Sequence, residues 1–130
     1  MAVIESLFAL TVGIIDRGQK GEAIARKWVE KHLGMKVLEM NFRSPRGEID
    51  LVGWDGSAFV FVEVKTRSGN TCGLPEEAVD RRKQERIRKV AEWYLVQKGY
   101  NPHEVPVRFD VIAVKMEKGK PEISYYRDAF

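Results

Sequence analysis

The chain has 130 residues, 44% hydrophobic and 32% charged, which suits one domain-sized core and leaves no length for a separate substrate-binding domain. Its 22 basic and 19 acidic residues leave a net charge of only +3, which excludes a uniformly basic coat of the histone type. The single cysteine, Cys72, excludes an internal disulfide and a Cys-rich zinc site, so a reduced, cytoplasmic setting is expected.

The apolar stretch Val3 to Ile15 contains Glu5, has no basic lead-in and falls short of the ~20 residues a membrane helix requires. It reads as a helical extension, residues 1–17, with Val3, Ile4, Leu7 and Phe8 on one side, and no membrane partner is expected. Ile24, Ala25, Trp28 and Val29 recur at helical spacing before Gly34, a C-cap signal, and predict a helix over about 21–33. Val37 to Phe42 follows as a strand, and Arg43 to Gly47 as a basic loop holding both breaker residues. Between Glu48 and Lys65 two β-rich runs flank Asp55-Gly56, a two-residue hairpin signal. The polar segment Ser68 to Gly73 leads to the longest helix, with Ile87, Val90, Ala91, Tyr94 and Leu95 as its apolar stripe and Gly99 at its end. Val105 to Lys115 is a strong strand with Arg108, Asp110 and Ile112 on one face, and Ile123 to Tyr126 is a short closing strand. The order predicts an α/β domain over residues 1–130 with a central mixed β-sheet flanked by helices in two or three layers, the long helix crossing over into the Val105 strand.

Chemistry concentrates on the hairpin. A two-residue turn at Asp55-Gly56 sets Asp50 opposite Phe61 and Glu48 opposite Glu63, with Glu48, Asp50, Glu63 and Lys65 on one face beside Phe59 and Phe61. Asp50 and Glu63 become diagonal neighbours, ~7–8 Å apart, near enough to share a small cation. Glu48 facing Glu63 is a like-charge pair that needs a cation or a raised pKa to compensate it. Oxygen ligands from Asp50, Glu63 and the backbone carbonyl of Val64 suit Mg²⁺ or Mn²⁺. Lys65 is placed to hold an attacking water or to offset charge on a phosphoryl group. As a bare pattern, the same residues fit a solvated strand face on which Lys65 and Arg46 neutralise the acids.

Gly47-Glu48-Ile49-Asp50-Leu51, Phe61-Val62-Glu63-Val64-Lys65-Thr66-Arg67 and Gly21-Glu22 resemble the YraN-like family, a bacterial group of predicted endonucleases. The similarity runs from about Gly18 through Arg108-Phe109-Asp110-Val111 to Ala129-Phe130. More distantly, Glu22, Asp50, Glu63 and Lys65 look like the active-site set of the archaeal Holliday junction resolvases in the PD-(D/E)XK nuclease superfamily. The resemblance implies a restriction-endonuclease-like fold, with Asp50 and Glu63 as metal ligands, Lys65 as catalytic lysine and Glu22 as a further acid beside the metal. Ile49 departs from the proline of the superfamily name. Apart from the resemblance, Glu22 also fits a first-turn acid favoured by the helix dipole. Glu48 is expected in a supporting place, and Asp110 is expected to fix Arg108 or a backbone group.

From Arg81 to Lys89 six cations meet one anion, Glu85, a local charge of +5. Arg82, Arg86 and Lys89 share one helical face near Lys83, and Arg43, Arg46 and Arg67 flank the acids, so all seven are candidate phosphate contacts. The acidic cluster and this patch together make the net charge a cancellation. His32, His103 and Cys72 lack partners at ligand spacing, and Trp28, Trp93, Tyr94 and Phe109 are expected in the core. The Tyr125-Tyr126 pair is a weaker base-stacking candidate.

The function expected is a Mg²⁺- or Mn²⁺-dependent DNA endonuclease or phosphodiesterase, with branched or junction DNA as a candidate substrate. A non-catalytic nucleic-acid-binding module, or partner-recruiting subunit, on the same fold is the alternative, and RNA is a second candidate substrate. A domain this small spans about one duplex turn, ~34 Å, so cutting both strands or resolving a junction would call for a homodimer, for which Val3 to Phe8 is a candidate surface.

Overall fold

The computed structural model describes residues 17–68, 79–116 and 119–130. The Val3 to Phe8 stripe, Cys72 and residues 69–73 of the polar segment lie outside the described residues. In chain order the elements are α1 (Arg17–Leu33), β1 (Lys36–Ser44), β2 (Gly47–Trp54), β3 (Phe59–Ser68), α2 (Arg81–Gln97), β4 (Val107–Met116) and β5 (Pro121–Tyr126). The strands form one mixed sheet in the order β1-β2-β3-β4-β5. Every neighbouring pair is antiparallel except β3 and β4, which run parallel, as a crossover through α2 requires.

Alternation along the strands divides the core in two. Val60, Val62, Ile112 and Val114 face α1, where Ala25 and Val29 close over them. Phe61, Phe109 and Val111 face α2 and meet Ile87, Val90, Ala91, Tyr94 and Leu95, the stripe expected from the sequence. Helices on both faces give three layers, the α/β architecture implied by the resemblance and consistent with a restriction-endonuclease-like fold. Both helix ends carry their sequence signals. Asp80 caps α2 by accepting the Lys83 N–H at 2.9 Å, and Gly34 ends α1 at φ 59°. Among the described residues no helix is long and apolar enough to cross a membrane.

The β2–β3 turn differs from expectation. Trp54 pairs with Phe59, not Ser57, so the loop holds four residues rather than two. Asp55 is the cause: its carboxylate accepts the Ser57 N–H at 2.7 Å and the Ala58 N–H at 2.8 Å, and its own N–H reaches the Ala58 carbonyl at 3.2 Å. Side-chain acceptance of turn N–H groups makes the wider loop self-sufficient. The register therefore moves by two residues. A shift of two leaves side-chain parity unchanged along the regular ladder from Trp54 to Leu51, while the pairing changes.

Candidate functional site

The ladder between β2 and β3 is recorded from Trp54↔Phe59 to Leu51↔Val62, and the candidate site begins where it stops. Asp50 and Glu63 are the next residues on the two strands beyond the last pair. Here β2 changes face. Ile49 packs toward α2 while Leu51 packs toward α1, although residues two apart in a regular strand share a face. The neighbouring strand changes with it, since Met40 and Phe42 also pack on opposite sides and Asn41 between them has φ 54°. Asparagine tolerates this left-handed conformation better than most residues. At the change of face the Asp50 carboxylate lies beside β3 and accepts the Val64 N–H at 2.8 Å, taking a bond that a continuing strand would have used.

Four charged groups converge there. Asp50 is 9% exposed and Glu63 8%. Lys65, two residues along β3, places its Nζ 3.4 Å from Glu63 Oε1, and Lys83, from the first turn of α2, reaches the same oxygen at 2.6 Å. Burial and then the Glu63 charge push the Asp50 carboxyl up to about 7, with Glu22 adding to the rise against the pull of the Val64 N–H. Burial, then the neighbouring Lys83, lowers the Lys65 ammonium from its ordinary value. Glu22 comes from the other side of the sheet on α1, whose close approach depends on Gly21: a Cβ there would lie 1.9 Å from Thr66 Oγ1 of β3. Because α1 starts at Arg17, Glu22 is its sixth residue, so the first-turn dipole explanation does not hold.

The structure thus brings Asp50, Glu63 and Lys65 together with Glu22 near enough to act on Asp50. Among the described residues no group of three or more His, Cys, Asp or Glu gathers as a cation cage. The oxygen donors available for a metal are the Asp50 and Glu63 carboxylates and the Val64 carbonyl, a hard donor set that fits Mg²⁺ or Mn²⁺. Glu48 is corrected: Ile49 beside it faces α2, so Glu48 turns away from Glu63 and pairs with Arg43 at 3.4 Å on the surface. The predicted like-charge pair does not form.

The seven candidate phosphate contacts separate by position. Arg82, Arg86 and Lys89 stand exposed on the outer face of α2. Arg46 is exposed on the β1–β2 turn, and Arg43 is exposed with Glu48 as its partner. Arg67, on β3 beyond Lys65, is half-buried and leaves its Nε buried without a hydrogen-bond partner. Lys83 is corrected in its role, since its ammonium is already engaged with Glu63. Position on the helix face was visible in the sequence; that Lys83 belongs to the acid cluster was not, because its contact with Glu63 depends on how α2 packs against β3. Arg88 of the same basic run, itself exposed, lies over two rings, its guanidinium 4.8 Å from the Phe109 ring centre and 5.6 Å from that of Phe130.

A second cluster lies on the α1 face of β4. Arg108 Nε donates to both Asp110 oxygens at 3.1 Å, the Asp128 N–H adds a bond at 2.9 Å, and Tyr125 donates its hydroxyl to the same carboxylate. Arg108 also reaches Asp55 of the β2–β3 loop. Asp110 thus fixes Arg108 and a backbone group, as expected. Tyr125 also stacks on Trp28 at 5.4 Å, which covers one face of each ring. Tyr94 and Phe109 are buried as expected, but Trp93 is 40% exposed on α2 and does not belong to the core.

A model of uncharacterised protein family UPF0102 matches residues 21–114. A UPF0102 protein of Syntrophotalea carbinolica is 39% identical over 121 residues, covering 93% of this chain and 96% of that protein. Relatives of the same name from Geotalea daltonii and Moorella thermoacetica are each 45% identical, over 114 and 102 residues, covering 87% and 78% of this chain and 87% and 82% of theirs. The matched span runs from the Gly21-Glu22 motif through both acids and the basic helix into β4. The chain therefore belongs to uncharacterised protein family UPF0102, the YraN-like family its motifs resemble.

Proposed function

We propose that this protein is a metal-dependent DNA phosphodiesterase of the PD-(D/E)XK type, with Asp50 and Glu63 holding Mg²⁺ or Mn²⁺. The observation that carries the reading is the buried Asp50–Glu63 pair at the point where β2 leaves β3, with Lys65 3.4 Å from Glu63. A divalent cation, when bound, supplies Lewis-acid chemistry at a phosphoryl group. Lys65 positions the attacking water or offsets the charge that develops on the phosphoryl oxygens. Glu22 adds negative charge beside Asp50 from α1, which strengthens the hold on a cation. Arg67 offers a buried, unpartnered Nε on the same strand, a donor suited to a phosphate oxygen. Arg46, Arg82, Arg86 and Lys89 extend the positive surface along which a nucleic-acid backbone lies.

The test is cleavage of single-stranded, duplex, flapped and four-way-junction DNA, with matching RNA, by wild type, Asp50→Asn, Glu63→Gln and Lys65→Ala in Mg²⁺, Mn²⁺ or EDTA. Wild type is expected to cut DNA only with metal, and the variants to bind it while losing cleavage. Equal binding by all four with no substrate cut would replace the enzyme by a non-catalytic nucleic-acid-binding module. Preferential cutting of RNA would move the substrate class and leave the site in place.

A further inference from the structure

The buried stripe of α2 is complete with Ile87, Val90, Ala91, Tyr94 and Leu95. The helix nevertheless carries two more apolar side chains on its outside, Trp93 and Val96, 40% and 62% exposed. They continue the line of Arg82, Arg86 and Lys89 at spacings of three and four residues, so one exposed face runs from cations into an aromatic. Beside it opens a groove of about 440 Å³, lined by Lys89, Glu92, Trp93, Val96 and Gln97 of α2 and by Arg46 of the β1–β2 turn. The turn lies against the helix at Gly47, beside Arg86 and Val90. A Cβ there would lie 3.1 Å from Arg86 Cδ and 3.6 Å from Val90 Cγ2, and Gly47 has φ 140°. Arg46, the residue before it, lines the groove with Trp93 and Lys89.

We infer that this groove is a binding site for an unpaired nucleotide, its base on the Trp93 ring and its phosphate between Arg46 and Lys89, which makes the substrate a nucleic acid with a single-stranded segment. The inference rests on the nucleic-acid reading above and names the substrate class of that same site. An indole face with cations on either side is the arrangement that holds single strands, because every base has a π-face and every nucleotide a charge. A paired duplex keeps its bases stacked inside and has none to give. The volume lies within the range of about 300–1,000 Å³ typical of ligand sites. Glu92 is the one carboxylate on the rim, set against two cations. The groove is also in line with the acids: Lys83, which touches Glu63 at 2.6 Å, precedes Trp93 by ten residues of the same helix. Ten residues advance about 15 Å along a helix, roughly four nucleotide steps of a stacked strand. Arg86 lies between, exposed on the same face.

The test uses the full chain in EDTA, so that no cutting is involved, and measures by anisotropy the affinity for labelled single-stranded, blunt duplex and overhang-bearing DNA of equal length. Trp93→Ala is expected to weaken single-stranded and overhang binding about tenfold and duplex binding less than twofold. Trp93→Phe, which keeps a ring, is expected to restore most of the loss. Trp93 is outside the core, so unchanged melting temperatures will show that both variants fold. Equal losses on single-stranded and duplex DNA, or none on either, overturn the inference and leave the Asp50 and Glu63 cleavage assay to stand or fall separately. Failure of wild type to bind any DNA or RNA overturns it together with the nucleic-acid reading. Dissociation of an oligomer by Trp93→Ala, with DNA affinity unaltered, assigns the groove to a second copy of the chain and overturns it too.

Discussion

On the α1 face of the sheet, the fully buried Asp110 accepts from Arg108, Tyr125 and the Asp128 backbone, and Arg108 reaches on to Asp55. On the α2 face, Asp50 and Glu63 are nearly as buried, yet they crowd each other, the Asp50 carboxyl is pushed up to about 7, and the nearby Arg67 Nε lacks a partner. Both are mixed clusters of acids, cations and backbone donors at the sheet. In the first, donors and acceptors match, and the result ties β4 to the C-terminal residues and the β2–β3 loop. In the second, acids are set against acids with a hydrogen bond's worth of strand pairing given up, an arrangement that costs stability and gains from an added cation. A closed network reads as architecture and an open one as chemistry.

Four experiments would break or sharpen that contrast, beginning with the largest effect. Asp50→Asn and Lys65→Ala should each reduce metal-dependent DNA cleavage at least about 100-fold, measured under single turnover, with binding retained. Comparable loss on mutating the Asp110 cluster at unchanged stability would erase the distinction. Asp110→Ala should instead cost about 1–3 kcal/mol in denaturant unfolding, because Arg108 Nε, the Tyr125 hydroxyl and the Asp128 N–H lose their acceptor while Arg108 keeps Asp55. Cleavage and binding per folded molecule should be unaffected.

Third, pH should separate the clusters. A carboxyl raised from 3.8 to about 7 contributes stability that is fully present below pH 3.8 and lost as pH rises through 7. Metal-free protein should therefore lose melting temperature between about pH 4 and 7 through Asp50, and Mg²⁺ or Mn²⁺, which favours the ionised form, should restore it at the upper end. Asp50→Asn should flatten that component, as followed by thermal melts in EDTA. Smallest is the salt effect. Arg86→Ala with Lys89→Ala should lower the log–log salt slope of duplex binding by about 2, near 0.9 per phosphate contact, without touching stability. A full slope in this double variant would take the outer face of α2 out of the interface.

Much of this was legible in the chain itself, for local reasons. Apolar spacing set out α1, α2 and the strands, and side-chain parity held along the ladder from Trp54 to Leu51, since the turn's error was an even number of residues. The turn was misread because Asp55 bonds to two N–H groups beyond Gly56, a side-chain choice that the Asp-Gly signal does not reveal. Trp93 was misread because residue type suggests burial, whereas position on the helix decides it: Tyr94 beside it faces the sheet and Trp93 does not.

By itself, then, the sequence determined the α/β order, the helix faces, the family motifs and the acids and lysine of one strand pair, all set by spacing within a few residues. Only the tertiary structure decided that β2 changes face at Asp50, that Lys83 joins Glu63, and that Arg46 and Trp93 line one groove. Each of these depends on how closely separate elements approach, and that distance comes from packing, which no local pattern of residues encodes.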